Sequence, residues 1–143
     1  MILYLSYGRI HGARKPGILN GDLLEMILIK EFEFDAAHNL INYHGKCERL
    51  HGHTYKLVVK LKGSPDHEDM VYDFVDLKKL VKKEILEDFD HRYINDFIKQ
   101  PTAENIAVYI WNKLKPAVRT GNAHLYEIEV WETKTSGIVY NGD

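Results

Sequence analysis

The chain is 143 residues long, 45% hydrophobic, with a formal net charge of −2 at pH 7. That length suits one domain with a sizeable core, and no apolar run is long enough to span a bilayer. The near-neutral balance excludes a general electrostatic attraction to nucleic acid or membrane, so neither is an expected partner and any polyanion site must be local.

Residues 1–25 are punctuated by Gly8, Gly12, Pro16-Gly17 and Asn20-Gly21, too often for a core element. Arg9, His11, Arg14 and Lys15 interrupt the apolar start, so no signal-peptide pattern is present. This stretch reads as an extension of uncertain order, ahead of a single domain over 26–143 that opens at Met26, itself a candidate initiator. The lone cysteine, Cys47, cannot form an internal disulfide and points to a reducing, cytoplasmic setting.

From Leu28, alternation predicts a strand with Phe32, Phe34, Ala36 and His38 on one face. A second strand, His53 to Leu61, places Tyr55, Leu57, Val59 and Leu61 on one face and Lys56, Lys60 and Lys62 on the other. His51 and His53 share the parity of its apolar face. Asp73 is the expected N-cap of a helix that buries Leu77, Leu80, Val81, Ile85 and Phe89. Pro101-Thr102 opens a second helix, with Ile106, Ala107, Ile110, Trp111 and Leu114 inward and Pro116 near its end. Strands over about Leu125–Thr133 and Ile138–Tyr140 follow. The order ββααββ argues an α+β domain with both helices on one face of an antiparallel sheet.

Residues i and i+2 of a strand point the same way, so His51 and His53 face inward together, and His38 arrives from the neighbouring strand with the same sense. Three imidazoles without a fourth strong ligand suit a zinc ion that keeps one position free for chemistry. Imidazole donors and a Lewis-acid task favour zinc over a redox metal. Cys47 has three readings: fourth ligand of a closed clasp, thiolate base beside the metal, or small buried hydrophobe. Asp90-His91, at a helix end, reads as capping and surface charge or as an oriented acid–base pair. Glu132 has the parity of Tyr126, Ile128 and Val130. An inward carboxylate is costly unless a donor pair meets it, as the adjacent N–H groups of a guanine-like or pterin ring would; the alternative is a strand-end residue reaching solvent or a lysine.

Together these residues resemble the 6-pyruvoyltetrahydropterin synthase and 6-carboxytetrahydropterin synthase family. The matching signatures are Phe34-Asp35-Ala36-Ala37-His38, the run from Cys47 to His53, Asp73-Phe74, Asp90-His91 with Asn95, Pro101-Thr102-Ala103-Glu104-Asn105 and Trp131-Glu132-Thr133. The resemblance covers about Met26 to Gly142. It implies a tunnelling fold, a four-stranded antiparallel sheet with two helices, assembled as a homo-oligomer (a trimer or a dimer of trimers) with sites shared between subunits. It implies zinc on His38, His51 and His53, Cys47 as proton acceptor, Asp90 and His91 as a relay supplied across a subunit boundary, and Glu132 with Thr102 holding the pterin. The implied substrate is 7,8-dihydroneopterin triphosphate, with Lys46, Arg49 and Arg92 candidate phosphate contacts by proximity.

The expected product is 6-carboxy-5,6,7,8-tetrahydropterin, formed with loss of triphosphate and acetaldehyde on a 7-deazaguanine route such as queuosine or archaeosine synthesis. Alternatives are 6-pyruvoyltetrahydropterin and 6-hydroxymethyl-7,8-dihydropterin. The branch that makes the latter carries a glutamate three residues before the first histidine of His-Gly-His, where this chain has Glu48; Glu48 reads equally as a solvated loop carboxylate. The rival from another class is a non-catalytic, zinc-stabilised oligomeric pterin-binding module, with Cys47 closing the metal shell.

Overall fold

The computed structural model describes residues 18–19, 22–118 and 120–143, so most of the predicted extension lies outside the described residues. Strands β1 (Ile18–Leu19) and β2 (Asp22–Leu23) pair antiparallel as a small separate ladder. Next come β3 (Met26–His38) and β4 (His51–Gly63), paired without a break from Met26–Gly63 to His38–His51. Helix α1 (Phe74–Val81) runs through a π turn at Lys82–Leu86 into α2 (Glu87–Phe89). Strand β5 (Arg92–Tyr93), helix α3 (Ala103–Ala117), β6 (Ala123–Thr133) and β7 (Ser136–Tyr140) complete the chain.

The main sheet has the order β5-β3-β4-β6-β7. Its four long strands are the expected antiparallel set; β5 is an addition, pairing parallel with Ala36 and Ala37. Two residues carry no readable periodicity. The pairing is set instead by the preceding backbone, where the His91 N–H donates to the Asp35 carbonyl at 2.6 Å.

One face of the sheet is covered by the helices. Phe32, Phe34, Tyr55, Leu57, Val59, Leu61, Ile128 and Val130 face Leu77, Ile85, Phe89, Ile106, Ile110 and Leu114 in one core. Each such side chain contributes roughly 1.5–3 kcal/mol by leaving water. Asp73 caps α1, accepting from Val75 N at 2.6 Å and Asp76 N at 3.2 Å, and the Thr102 hydroxyl caps α3 from Asn105 N at 3.2 Å. Leu77, Val81, Ile85 and Phe89 are all fully buried although spaced by four. In an ideal helix that spacing drifts by about 40° per step. The π turn between Val81 and Glu87 widens the winding and returns the stripe to the sheet.

A bulge corrects one expectation on β6. Lys60 pairs with Glu127 but Leu61 pairs with Leu125, which leaves Tyr126 as the extra residue. Tyr126 is therefore exposed, at 38%, and not on the apolar face, while Ile128, Val130 and Glu132 keep the expected inward parity. On the open face, Lys60 sits between Glu127 at 2.6 Å and Glu129 at 2.5 Å, and Trp131 Nε1 donates to Glu129 at 2.8 Å. No helix among the described residues is long and apolar enough to cross a membrane.

Candidate metal centre and active site

Where β3 and β4 run past the helices, the inward alternation continues but its residues change from apolar to imidazole. His38 is opposite His51, and His53 is one pleat deeper, opposite Ala36. Ligand nitrogens of the three rings lie within 4.8 Å of one another. Tetrahedral zinc with nitrogen ligands at about 2.0–2.1 Å places those ligands roughly 3.3–3.4 Å apart, so the trio is already near the required spacing.

Hydrogen bonding assigns the tautomers. His38 Nδ1 lies 2.8 Å from the Pro101 carbonyl, and His51 Nδ1 lies 2.8 Å from the Arg49 carbonyl. A carbonyl only accepts, so both rings carry their proton on Nδ1 when neutral. Their Nε2 atoms, left with lone pairs, face one another at 3.0 Å. Two lone pairs at that distance repel unless a cation lies between them. With a third imidazole converging on the same point, the trio is a donor set that could hold a metal ion, and backbone carbonyls on the far nitrogens are the usual means of orienting such ligands.

Burial is the largest influence on His38 and pushes its pKa below the ordinary 6.5; the Pro101 carbonyl and Glu132 oppose it, and His51 adds to it. Burial likewise lowers His53, against the opposing charge of Glu132. Both rings are thus neutral and ready to ligate at neutral pH. Glu132 stands beside the trio, with Oε1 3.7 Å from His38 Nε2 and its side chain 27% exposed. Tyr55, beneath them, has its hydroxyl 3.3 Å from His38 Nδ1. Burial above all, then the charges of Glu132 and Cys47, pushes the Tyr55 phenol far up, so it stays protonated.

The remaining expected residues fall into two groups. Cys47 and Glu48 lie in a single 3₁₀ turn, Lys46–Glu48, in the connection between β3 and β4. Cys47 is half-buried and near enough to influence Tyr55, yet its sulfur is not among the ligand atoms that cluster at the three histidines. Lys46, Glu48 and Arg49 line a depression of about 610 Å³ with Gly45. Asp90 and His91 lie between α2 and β5. Asp90 Oδ1 accepts from Asp35 N at 3.1 Å and pairs with His91 Nδ1 at 2.9 Å. His91 adopts φ 58°, a left-handed conformation uncommon outside glycine, imposed by its backbone bond to Asp35. Among the described residues no hydrogen bond links this pair to the three histidines. With Arg92, Asp35, Thr54 and His53, His91 borders a cleft of about 530 Å³. Arg92 is therefore grouped with His91, apart from Lys46 and Arg49.

Sequence reasoning overlooked two supports, Tyr55 and the Pro101 carbonyl. Pro101 was legible only as a helix opener and Tyr55 only as an apolar-face residue, because their role depends on what folds against them.

A sheet rim presenting three convergent imidazoles and a carboxylate on its covered face defines an α+β protein with a site suited to a metal ion. Comparison with known proteins narrows this. A sequence model of the family described as 6-pyruvoyl tetrahydropterin synthase matches residues 27–143. A 6-carboxy-5,6,7,8-tetrahydropterin synthase of Haemophilus influenzae is 39% identical over 137 aligned residues, covering 78% of this chain and 95% of the relative. One of Synechocystis is 40% identical over 121 residues, covering 80% and 92%. The solved structure of Caenorhabditis elegans 6-pyruvoyl tetrahydropterin synthase superposes with a TM-score of 0.75 at 32% identity, covering 83% of this chain and 96% of that one. The chain belongs to the 6-pyruvoyl tetrahydropterin synthase family, and its architecture is the tunnelling fold.

Proposed function

We propose that this protein is a zinc-dependent lyase that converts 7,8-dihydroneopterin triphosphate to 6-carboxy-5,6,7,8-tetrahydropterin, releasing triphosphate and acetaldehyde. The observation that carries the reading is the pair of Nε2 lone pairs of His38 and His51 at 3.0 Å, with both Nδ1 protons committed to backbone carbonyls. Relatives at 39% and 40% identity bearing the 6-carboxy name support that product.

His38, His51 and His53 hold the zinc. When bound, the metal supplies Lewis-acid polarisation of the substrate's side-chain hydroxyls, acidifying the adjacent C–H. Glu132 accepts the adjacent N–H donors of the pterin ring, with Thr102 beside it, and so fixes the side chain toward the histidines. Cys47, as thiolate, removes the acidified proton. His91, oriented through Nδ1 by Asp90, returns a proton. As the family resemblance implies, that pair acts on the site of a neighbouring subunit. The outer edges of β7 and of residues 26–35 of β3 make no ladder with another described strand. Such edges are closed by pairing with further copies, which supports a homo-oligomer, trimeric or a dimer of trimers. Lys46 and Arg49 face the triphosphate from one side and Arg92 from the other. The redox change is internal to the substrate, so zinc is the one cofactor.

The decisive experiment is incubation of the zinc-loaded protein with 7,8-dihydroneopterin triphosphate and identification of the pterin by mass. The 6-carboxy product is expected; a 6-pyruvoyl product or no turnover rejects the assignment. A second reading is favoured by Cys47 and Glu48 sharing one turn: Glu48 acts as an alternative base and yields 6-hydroxymethyl-7,8-dihydropterin. Glu48→Ala then removes that product selectively, and equal loss of both products rejects the role.

A further inference from the structure

The connection between β3 and β4 carries both candidate bases yet buries almost nothing. Ile41 is 51% exposed, Tyr43 46% and Leu50 67%. Hydrophobic packing therefore does not order it, and its position rests on hydrogen bonds. Those bonds come from three side chains: the Tyr93 hydroxyl of β5, which donates to Asn39 Oδ1, and two from the segment between β5 and α3. Asn95 Oδ1 accepts from Asn39 N at 3.0 Å while Asn95 Nδ2 donates to Asn39 O at 2.9 Å, gripping that residue's backbone from both sides. Gln100 Oε1 accepts from Ile41 N at 2.7 Å and Asn42 N at 3.4 Å. Leu40 N donates to the Cys47 carbonyl at 2.9 Å, so the grip at 39–42 is passed directly to the turn that bears Cys47 and Glu48.

The Gln100 main chain is anchored in its turn. Its carbonyl accepts from Thr102 N at 2.9 Å and Asn105 Nδ2 at 2.8 Å, at the N-terminus of α3. The next carbonyl, Pro101, orients His38. One tripeptide, Gln100-Pro101-Thr102, thus holds the loop, the metal-ligand ring and the helix cap.

We propose that Gln100 is a positioning residue: it clamps the Cys47–Glu48 loop to the same junction that orients His38, and so sets the distance from base to metal-bound substrate. This rests on the function proposed above. A base displaced by about 1 Å loses much of its effective molarity, so the clamp contributes to kcat while leaving substrate affinity alone.

The test compares Gln100→Leu, which removes the acceptor at similar size, with Gln100→Glu, which keeps a carbonyl-type oxygen for the same two N–H groups. Both are measured as zinc-loaded full-length protein. The Leu variant is expected to show kcat lowered about tenfold, at unchanged KM, zinc content and thermal midpoint. It should also show faster amide hydrogen exchange at Ile41 and Asn42. The Glu variant should restore both kcat and protection. Wild-type kcat and exchange in the Leu variant, an equal defect in the Glu variant, or a fall in zinc content or thermal midpoint with Leu overturns the proposal. Should wild-type protein not turn over the pterin triphosphate, the functional reading fails, and exchange alone decides the clamp. Faster exchange with Leu but not Glu sustains it, and equal exchange in both variants overturns it.

Discussion

The middle and the rim of the β3–β4 ladder obey the same geometry with opposite chemistry. At the middle, Phe34 lies across from Tyr55 and Phe32 from Leu57, under the helices. At the rim, the same inward positions are His38, His51 and His53. His38, at 1% exposure, is buried like the core, yet among the described residues it is the one buried side chain outside the hydrophobic and aromatic set. The core positions are stabilised by removal from water and by shape. The rim rings of His38 and His51 are oriented through the Pro101 and Arg49 carbonyls behind them, and their free nitrogens converge on a point that could hold a cation. Burial that stabilises Leu57 would cost free energy at His38 without those partners.

Breaking the rim has the largest expected effect. His51→Ala should reduce zinc from about one ion per chain to near zero, a greater loss than the 10–100-fold that removal of an outer partner costs. Metal analysis and activity after chelation and zinc readdition check this, while far-ultraviolet circular dichroism should remain that of the folded sheet. The matched change at the middle, Leu57→Ala, should do the reverse. It is expected to cost about 2–5 kcal/mol of unfolding free energy in denaturant titration, with zinc per folded chain unchanged.

A finer separation comes from Cys47→Ala, which should retain zinc and lose about a hundredfold in kcat, or about 2.7 kcal/mol. Loss of metal instead would make Cys47 a ligand. Far from both regions, Asp73→Ala removes the α1 cap and should cost about 1 kcal/mol of stability, read by thermal melting, with kcat intact.

The smallest effect is on the open face. Lys60 and then Trp131 hold Glu129 below its ordinary carboxylate pKa of 4.5. A depressed acid contributes stability above its unfolded pKa and loses it as pH falls through the folded value. The pair's contribution, about 1 kcal/mol or less, should therefore disappear below pH 4.5, and Lys60→Met should flatten the acid limb of the stability curve.

Much of this was legible along the chain because it follows local periodicity. Strand parity placed His38, His51, His53 and Glu132 inward, and Asp73 and Thr102 marked helix starts that both hold as caps. The π turn was hidden behind a four-residue spacing that reads as ordinary helix. The bulge that turns Tyr126 outward depends on a pairing slip between β4 and β6, which neither strand encodes alone.

The one-dimensional pattern by itself determined which residues face the covered side of the sheet, because alternation of period two is a property of each strand. It also marked His38, His51 and His53 as a donor set that could hold a metal. Only the folded arrangement decided which nitrogens carry protons, that Cys47 stands outside the donor cluster, and that Asp90-His91 is held by the Asp35 backbone. The His38 proton and the place of Asp90 rest on a carbonyl and an amide supplied by segments tens of residues distant, while the carbonyl behind His51 comes from Arg49, two residues away. Every residue carries the same main-chain groups, so a partner made of backbone leaves no mark in the sequence.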